Sequence, residues 1–349
     1  MKKFNYNHLL KLKKPYFIAE VGVNHEGSIF KAKKLIDEAA RGGADAVKFQ
    51  TYKAGKIAVK KSPYYWDIKK ESTKSQFDLF SKFDKFNFKE YLILSKHCKK
   101  RKVEFLSTPF DLEAVDFLNP IMNLFKISSS DITNYPLLKK IASKKKPIIL
   151  STGASSIKEI REAINILRKN KAKNIVLMHC ILNYPTKNSD ANLNMIKSLK
   201  KEFPKCITGY SDHTLPSYDM QNLITAYLLG AKVIEKHFTL NKKQKGNDHY
   251  HSLNRKDLNN FNKRIYDINQ TLGENKKKFL QSEVKSRIYA RRSIVLKKDL
   301  AKNTKIKNEH LICKRPGTGI SPKYFTKVLG KKIKRNISSD TILKWNLLK

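Results

Sequence analysis

Eight short apolar runs spread over the first 240 residues constrain this chain more than any other feature. They are Tyr16–Val23, Ala46–Gln50, Val103–Ser107, Leu124–Ile127, Pro147–Leu150, Asn174–His179, Ile207–Tyr210 and Val233–His237. Each is continuous rather than alternating, as expected of strands buried on both faces of a parallel sheet. Between them lie segments with helical spacing: Ile29–Arg41, Lys89–Arg101, Ile157–Lys169, Leu193–Phe203 and Tyr218–Leu229. Ser155 or Ser156 ahead of Glu159 makes a capping arrangement for one of these. Parallel neighbours require right-handed crossovers. Eight strand–helix units in about 270 residues match a (β/α)8 TIM barrel, an α/β fold, with a doubly wound open sheet as the competing arrangement.

Two segments fall outside the repeat. Tyr52–Phe86 reads as a long βα loop of weak periodicity, and in a barrel such loops sit over the active site. Residues 273–287 are polar and Lys-rich and read as a linker between a barrel at 1–272 and a small domain at 288–349. That small domain has β-like runs at Ser293–Leu296 and Leu311–Lys314 and a Pro316-Gly317 turn, and is marginal in size by itself. No apolar run approaches the roughly 20 residues of a membrane-spanning helix. No apolar stretch follows Met1-Lys2-Lys3 to make a signal peptide. Cys98, Cys180, Cys206 and Cys313 are scattered, which disfavours a zinc ribbon or a disulfide framework and fits a cytoplasmic protein.

Charge poses a question. There are 73 Lys plus Arg against 30 Asp plus Glu, a formal net charge of +43, yet 62 of the basic residues are Lys and eleven are Arg. Readers of nucleic acid lean on the planar fork of Arg, interleaved with aromatics on one face. Here the Lys runs are scattered over helix ends and loops, so a nucleic-acid-binding protein is the weakest functional rival.

The strand ends carry the chemistry. In a barrel the C-terminal end of each strand faces the active site, and polar residues follow all eight runs. They are Glu20 and Asn24; Lys48 and Gln50; Ser107 and Thr108; Lys126, Ser128, Ser129 and Ser130; Ser151 and Thr152; His179, Asn183 and Tyr184; Ser211, Asp212 and His213; Glu235, Lys236 and His237. Charges set inside apolar runs are costly to bury unless they have a task. His213 and His237, with Asp212, Glu235 and Asp248-His249 near, suit a divalent metal with open positions. Lys48, Lys126, Thr108, Ser129 and Ser151 suit a phosphate pocket. A Schiff-base aldolase using Lys48 or Lys126 is the enzymatic alternative. No P-loop or GxGxxG follows a strand.

These motifs, taken in order, resemble the sialic acid (nonulosonic acid) synthase family. The resemblance is carried by Ile18-Ala19-Glu20-Val21-Gly22-Val23-Asn24-His25, Lys48-Phe49-Gln50-Thr51, Ser107-Thr108-Pro109-Phe110, Phe125-Lys126-Ile127, Ser151-Thr152-Gly153, Tyr184-Pro185-Thr186, Gly209-Tyr210-Ser211-Asp212-His213-Thr214 and Ile234-Glu235-Lys236-His237-Phe238. Ala290-Arg291-Arg292-Ser293-Ile294 and Lys314-Arg315-Pro316-Gly317-Thr318-Gly319 resemble that family's antifreeze-like (SAF) domain. The resemblance implies condensation of phosphoenolpyruvate with N-acetylmannosamine or a related 2-acetamido sugar, giving a nine-carbon 2-keto acid and phosphate. It implies Mn2+, or else Mg2+ or Co2+, held by His213 and His237. It implies a homodimer in which the small domain of one chain closes the barrel of the other, with no nucleic-acid or membrane partner. Lys48, Thr108, Lys126, Ser129, Ser151 and Asn183 match phosphoenolpyruvate positions. Glu20, Tyr184, Asp248, Tyr289 and Arg315 match acceptor-sugar positions, Arg315 from the partner chain and Tyr289 in place of a frequent Phe. Glu20, Glu235 and Lys48 are the catalytic candidates. The segment Gly246-Asn247-Asp248-His249-Tyr250-His251-Ser252-Leu253 departs from the common Gly-Pro-Asp-His form. The acceptor therefore stays open between N-acetylmannosamine and the diacetamido-dideoxyhexoses that give legionaminate or pseudaminate.

Overall fold

The computed structural model describes residues 4–69, 71–246 and 248–349. Met1-Lys2-Lys3, on which the signal-peptide reading began, and Asn247 of the 246–253 segment lie outside the described residues. Eight parallel strands follow one another: β1 (Tyr16–Gly22), β2 (Ala46–Thr51), β3 (Glu104–Pro109), β4 (Phe125–Ile127), β5 (Ile148–Ser151), β6 (Ile175–Cys180), β7 (Ile207–Asp212) and β8 (Val233–His237). Their order in the sheet is β3-β2-β1-β8-β7-β6-β5-β4. The first strand pairs with the last, Tyr16 opposite Val233 and Glu20 opposite His237, and β4 lies alongside β3 at the remaining seam. This is the (β/α)8 arrangement, not a doubly wound sheet.

Period-two alternation sorts the strand side chains. One set points outward and packs on the helices: Phe17, Val47, Phe105, Phe125, Leu150, Leu177, Tyr210 and Ile234 all belong to the outer core. The other set fills the barrel: Ile18, Ala46, Leu106, Leu124, Ile149, Met178, Ile207 and Val233 form a separate interior cluster, closed from below by Phe4 and Leu9. Glu104 anchors that plug, accepting from the Phe4 amide (2.6 Å) and the Tyr16 hydroxyl (3.0 Å).

The helices follow their local signals. Ile157–Lys169 starts at Ser156, whose amide donates to Glu159 while its hydroxyl accepts from the Glu159 amide, a reciprocal cap. Leu112–Leu118, Tyr135–Ser143 and the 18-residue Arg255–Leu272 complete the outer layer. Tyr52–Phe86 is more ordered than its weak periodicity predicts. It holds a turn at Ala54–Ile57 and a helix at Gln76–Phe83, and the buried Trp66 indole donates to the Glu71 and Thr73 carbonyls. Elements this short give no readable helical period.

By its contacts the chain divides into two compact units, 1–272 and 273–349. The second has the antiparallel pair β9 (Ser293–Leu296) and β10 (Leu311–Lys314), packed with Leu300, Ile306, Ile320, Val328, Ile333 and Leu343. The polar 273–287 stretch is not wholly irregular, since a helix spans Val284–Tyr289. Among the described residues no helix is long and apolar enough to cross a membrane.

Gly209 on β7 shows how tightly the interior is filled. A Cβ there would meet Met178 Sδ and, at 2.6 Å, the Val233 carbonyl oxygen. Gly209→Ala is therefore expected to destabilise the barrel by about 1–3 kcal/mol, read as a lower midpoint in urea unfolding.

Candidate active site

On seven strands a site residue lies two residues beyond an interior apolar residue, on the same face, and on β7 it lies two beyond the inward Gly209, itself two beyond Ile207. Ile18 leads to Glu20, Ala46 to Lys48, Leu106 to Thr108, Leu124 to Lys126, Ile149 to Ser151, Met178 to Cys180, Gly209 to Ser211 and Val233 to Glu235. The strand ladders carry these eight side chains into one small cavity of about 50 Å³, which Ser129, Tyr184, His213 and His237 also line.

Four buried charges dominate it. Lys48 Nζ lies 2.8 Å from Glu20 Oε2 and 3.6 Å from Glu235 Oε1, and donates to Thr108 Oγ1 at 3.1 Å. Lys126 Nζ donates to Glu235 Oε1 at 2.8 Å, as does Ser211 Oγ at 3.2 Å. Gln50 Nε2 donates to Glu20 Oε1 at 3.1 Å. Burial would raise the Glu235 carboxyl, but Lys126 and Lys48 outweigh it and hold the pKa at about 2. Burial and the Glu235 charge push Glu20 up against the pull of Lys48. Burial and Lys48 lower Lys126. Burial would also lower Lys48, but Glu20 and Glu235 raise it. Glu235 Oε2 and Ser151 Oγ are buried without a hydrogen bond. Unmade buried bonds cost about 1–3 kcal/mol each, so these atoms mark where a polar ligand belongs.

Beside the charges stand the imidazoles. His213 and His237 have ring centroids 5.7 Å apart, and Tyr184 lies over His213 at 4.1 Å. His213 Nδ1 sits 2.7 Å from the Ile181 carbonyl, which fixes the tautomer and leaves Nε2 as the lone-pair donor. Burial holds His213 at about 4, and burial, with the His251 and His213 rings and Lys48 near, puts His237 well below the usual imidazole value, so both rings are neutral. His237, Asp248 and His251 bring one donor atom each within 4.8 Å of one another. Neutral imidazoles with a carboxylate are a fit donor set for a divalent ion. Sequence reading overlooked His251. It sits in a turn outside every apolar run, and its one signal is the Asp-x-x-His spacing to Asp248.

Several strand-end candidates lie elsewhere. Lys236 and Asp212 face outward by the same alternation, so neither joins the anion pocket or the metal donors. They pair with each other at 2.7 Å, and Asp212 also accepts from the Tyr210 hydroxyl and the Thr214 amide. His179 stacks on Tyr210, its Nε2 2.8 Å from the Ala191 carbonyl. Asn24 donates to the Phe238 carbonyl and Ser252. Asn183 is exposed, and Leu182 and Tyr184 supply the cavity wall in its loop. Tyr289 and Arg315 belong to the C-terminal unit, where both are exposed.

Comparison with known proteins gives one answer. Residues 35–277 match the NeuB family model and 291–349 the SAF domain model. The N,N'-diacetyllegionaminic acid synthase of Campylobacter jejuni is 43% identical over 339 residues, covering 95% of this chain and 100% of that one. The enzyme of the same name from Legionella pneumophila is 38% identical, covering 95% and 93%. The crystal structure of an N-acetylneuraminic acid (sialic acid) synthetase from Leptospira borgpetersenii, in complex with citrate, superposes with a TM-score of 0.68 and 33% identity. That match covers 78% of this chain and 90% of that one. The chain therefore belongs to the NeuB family, the sialic acid synthases that its strand-end motifs resemble, and ends in a SAF domain.

Proposed function

We propose that this enzyme joins phosphoenolpyruvate to the open-chain aldehyde of an N-acetylated sugar, giving a nine-carbon 2-keto acid and free phosphate. The observation that carries this reading is Glu235. One oxygen is held by Lys126, Ser211 and, at longer range, Lys48, while the other is buried and uncommitted beside the imidazoles.

The enol carbon attacks the aldehyde carbon and a C–C bond forms. Positive charge develops on the carbon bearing the phosphate ester, and the free Glu235 oxygen stabilises it. Water adds to that carbon, and the tetrahedral adduct expels phosphate by C–O cleavage. Glu20 and Lys48, 2.8 Å apart, are placed to move the protons these steps need. Lys126, Thr108, Ser129 and Ser151 hold the phosphate and carboxylate of phosphoenolpyruvate. A divalent ion at His213 and His237, Mn2+ in the first instance, supplies a Lewis acid for the aldehyde oxygen. Glu20, Tyr184 and Asp248 hold the acceptor. The roles given to Tyr289 and Arg315 call for a second copy of the chain, so a homodimer is part of the proposal.

The acceptor reading rests on the larger adjoining cavity. Tyr52, Tyr65, Trp66, Phe80, Phe83 and Asp248 line it, with Phe110, Tyr184 and His237 at the shared wall. An aromatic wall suits acetamido methyls and a deoxygenated C6 better than a hydroxymethyl group. With the similarity to two legionaminic acid synthases, this supports a 2,4-diacetamido-6-deoxymannose as the proposed acceptor, ahead of N-acetylmannosamine and of the altrose isomer.

Three outcomes are expected. With Mn2+ and phosphoenolpyruvate, phosphate release is faster with the diacetamido-deoxy sugar than with N-acetylmannosamine by about 10–200-fold per recognised apolar group in kcat/KM; equal rates would remove the acceptor assignment. EDTA stops turnover and Mn2+ restores it, while borohydride traps no adduct on Lys48 or Lys126; a trapped adduct would establish the aldolase instead. Glu235→Gln lowers kcat about 10²–10³-fold with little change in KM for either substrate.

A further inference from the structure

We infer that His251 is a further imidazole ligand of the divalent ion, binding with His237 and with Asp248 as the oxygen donor. The inference rests on the metal-dependent reading above and adds a residue which that reading does not use.

His251 is wholly buried, and among the described residues neither of its ring nitrogens has a hydrogen-bond partner. Buried polar side chains nearly always find a partner, so a ring with both nitrogens unused is the exception that needs a reason. Its surroundings supply one. The ring meets His237 edge-on with centroids 4.8 Å apart, and Nε2 lies 3.9 Å from Asp248 Oδ1. On the other side of the carboxylate, His237 Nδ1 lies 3.5 Å from Asp248 Oδ2 and also lacks a hydrogen bond. The carboxylate thus stands between two rings with unused nitrogens, and the three donors lie within 4.8 Å of one another. Ligand distances of about 2.0–2.2 Å allow donors up to about 4.4 Å apart, so a contraction of a few tenths of an ångström closes the trio on an ion.

The backbone holds this arrangement in place. Leu253 N donates to the His237 carbonyl at 2.8 Å, and Thr239 N donates back to the Leu253 carbonyl at 2.8 Å. The turn bearing Asp248 and His251 is thereby pinned to the end of β8. Asn24 donates to Ser252 Oγ, and Ser252 in turn bonds the Asp248 carbonyl. The i to i+3 spacing presents the carboxylate and the imidazole on one side of that turn. Two imidazoles and a carboxylate favour Co2+ and Zn2+ over Mg2+.

The test uses the full-length enzyme stripped of metal. Co2+ and Mn2+ affinities are measured by titration calorimetry, and the Co2+ complex by its visible spectrum, for wild type, His251→Ala and His251→Gln. Loss of the ligand is expected to weaken Co2+ binding at least about 10-fold and to change the spectrum, with phosphate release recovering at saturating metal. Unchanged affinity and spectrum in variants that melt like wild type overturn the inference. If neither variant folds, the nitrogen hyperfine pattern of Cu2+ bound to His213→Ala decides: two imidazoles support the inference and one refutes it. A protein that binds metal through His251 yet releases no phosphate from phosphoenolpyruvate with any acceptor would refute the proposed reaction and leave this site standing.

Discussion

Two lysines and two glutamates share the interior of the barrel, and the rest of the site is arranged around their balance. Each buried ion carries a desolvation penalty of several kcal/mol, which only a well-placed partner offsets. The charges form a chain, Glu20 to Lys48 to Glu235 to Lys126, drawn from β1, β2, β8 and β4. Its formal sum is zero, and no member can be removed without leaving an odd charge in the core. The two lysines are held differently. Lys48 is shared among Glu20, Glu235 and Thr108, whereas Lys126 has the single partner Glu235. An anion entering the cavity can engage Lys126 by displacing one contact, while Lys48 stays fixed as the link between the carboxylates.

Much of this was legible because one rule governs both the core and the site. Period-two alternation puts Ala46 and Lys48, or Val233 and Glu235, on one face of a strand, so a charge set two residues beyond a small or branched apolar residue points into the barrel. The same rule explains the strand-end candidates that fell away. Asp212 and Lys236 differ from their inward neighbours by one position, and one position reverses the face. Residue type could not reveal this, because a buried outward pair such as Lys236–Asp212 looks in sequence like a catalytic pair. The rest was hidden for other reasons. His251 acts from a turn, where no period fixes direction. Trp66 and Phe80 come from elements too short to show a repeat. Asn183 was chosen by its place in a loop, and loop side chains have no register to hold them to the cavity.

The family relationship adds the one thing geometry leaves open, which is the set of compounds a barrel mouth of this kind receives. Many chemistries share the barrel, and fold alone would not separate a synthase from an aldolase. What separates them here is the state of the two lysines. A Schiff-base lysine must reach a carbonyl carbon as a free amine. Lys48 is bound to two carboxylates that raise its pKa. Lys126 is lowered by burial but donates to Glu235 at 2.8 Å. Both are arranged as counter-charges to anions rather than as nucleophiles.

The net charge of +43 can now be divided by location. Of the 62 lysines, Lys48, Lys126 and Lys236 are the buried ones among the described residues, and each is matched there by a carboxylate. The excess therefore lies at the surface, where pairs such as Lys140 and Lys144 with Asp116 are solvent-screened and contribute little. Surface charge is screened beyond about 8 Å at physiological ionic strength, so it has little purchase on a ligand already inside the barrel. It acts earlier. A positive exterior raises the local concentration of small anions and hence the rate of encounter, an effect that salt weakens. On the proposed reading, capture and chemistry are thus served by different lysines: the unmatched ones outside, and inside the barrel Lys48 and Lys126, whose charge is balanced by Glu20 and Glu235.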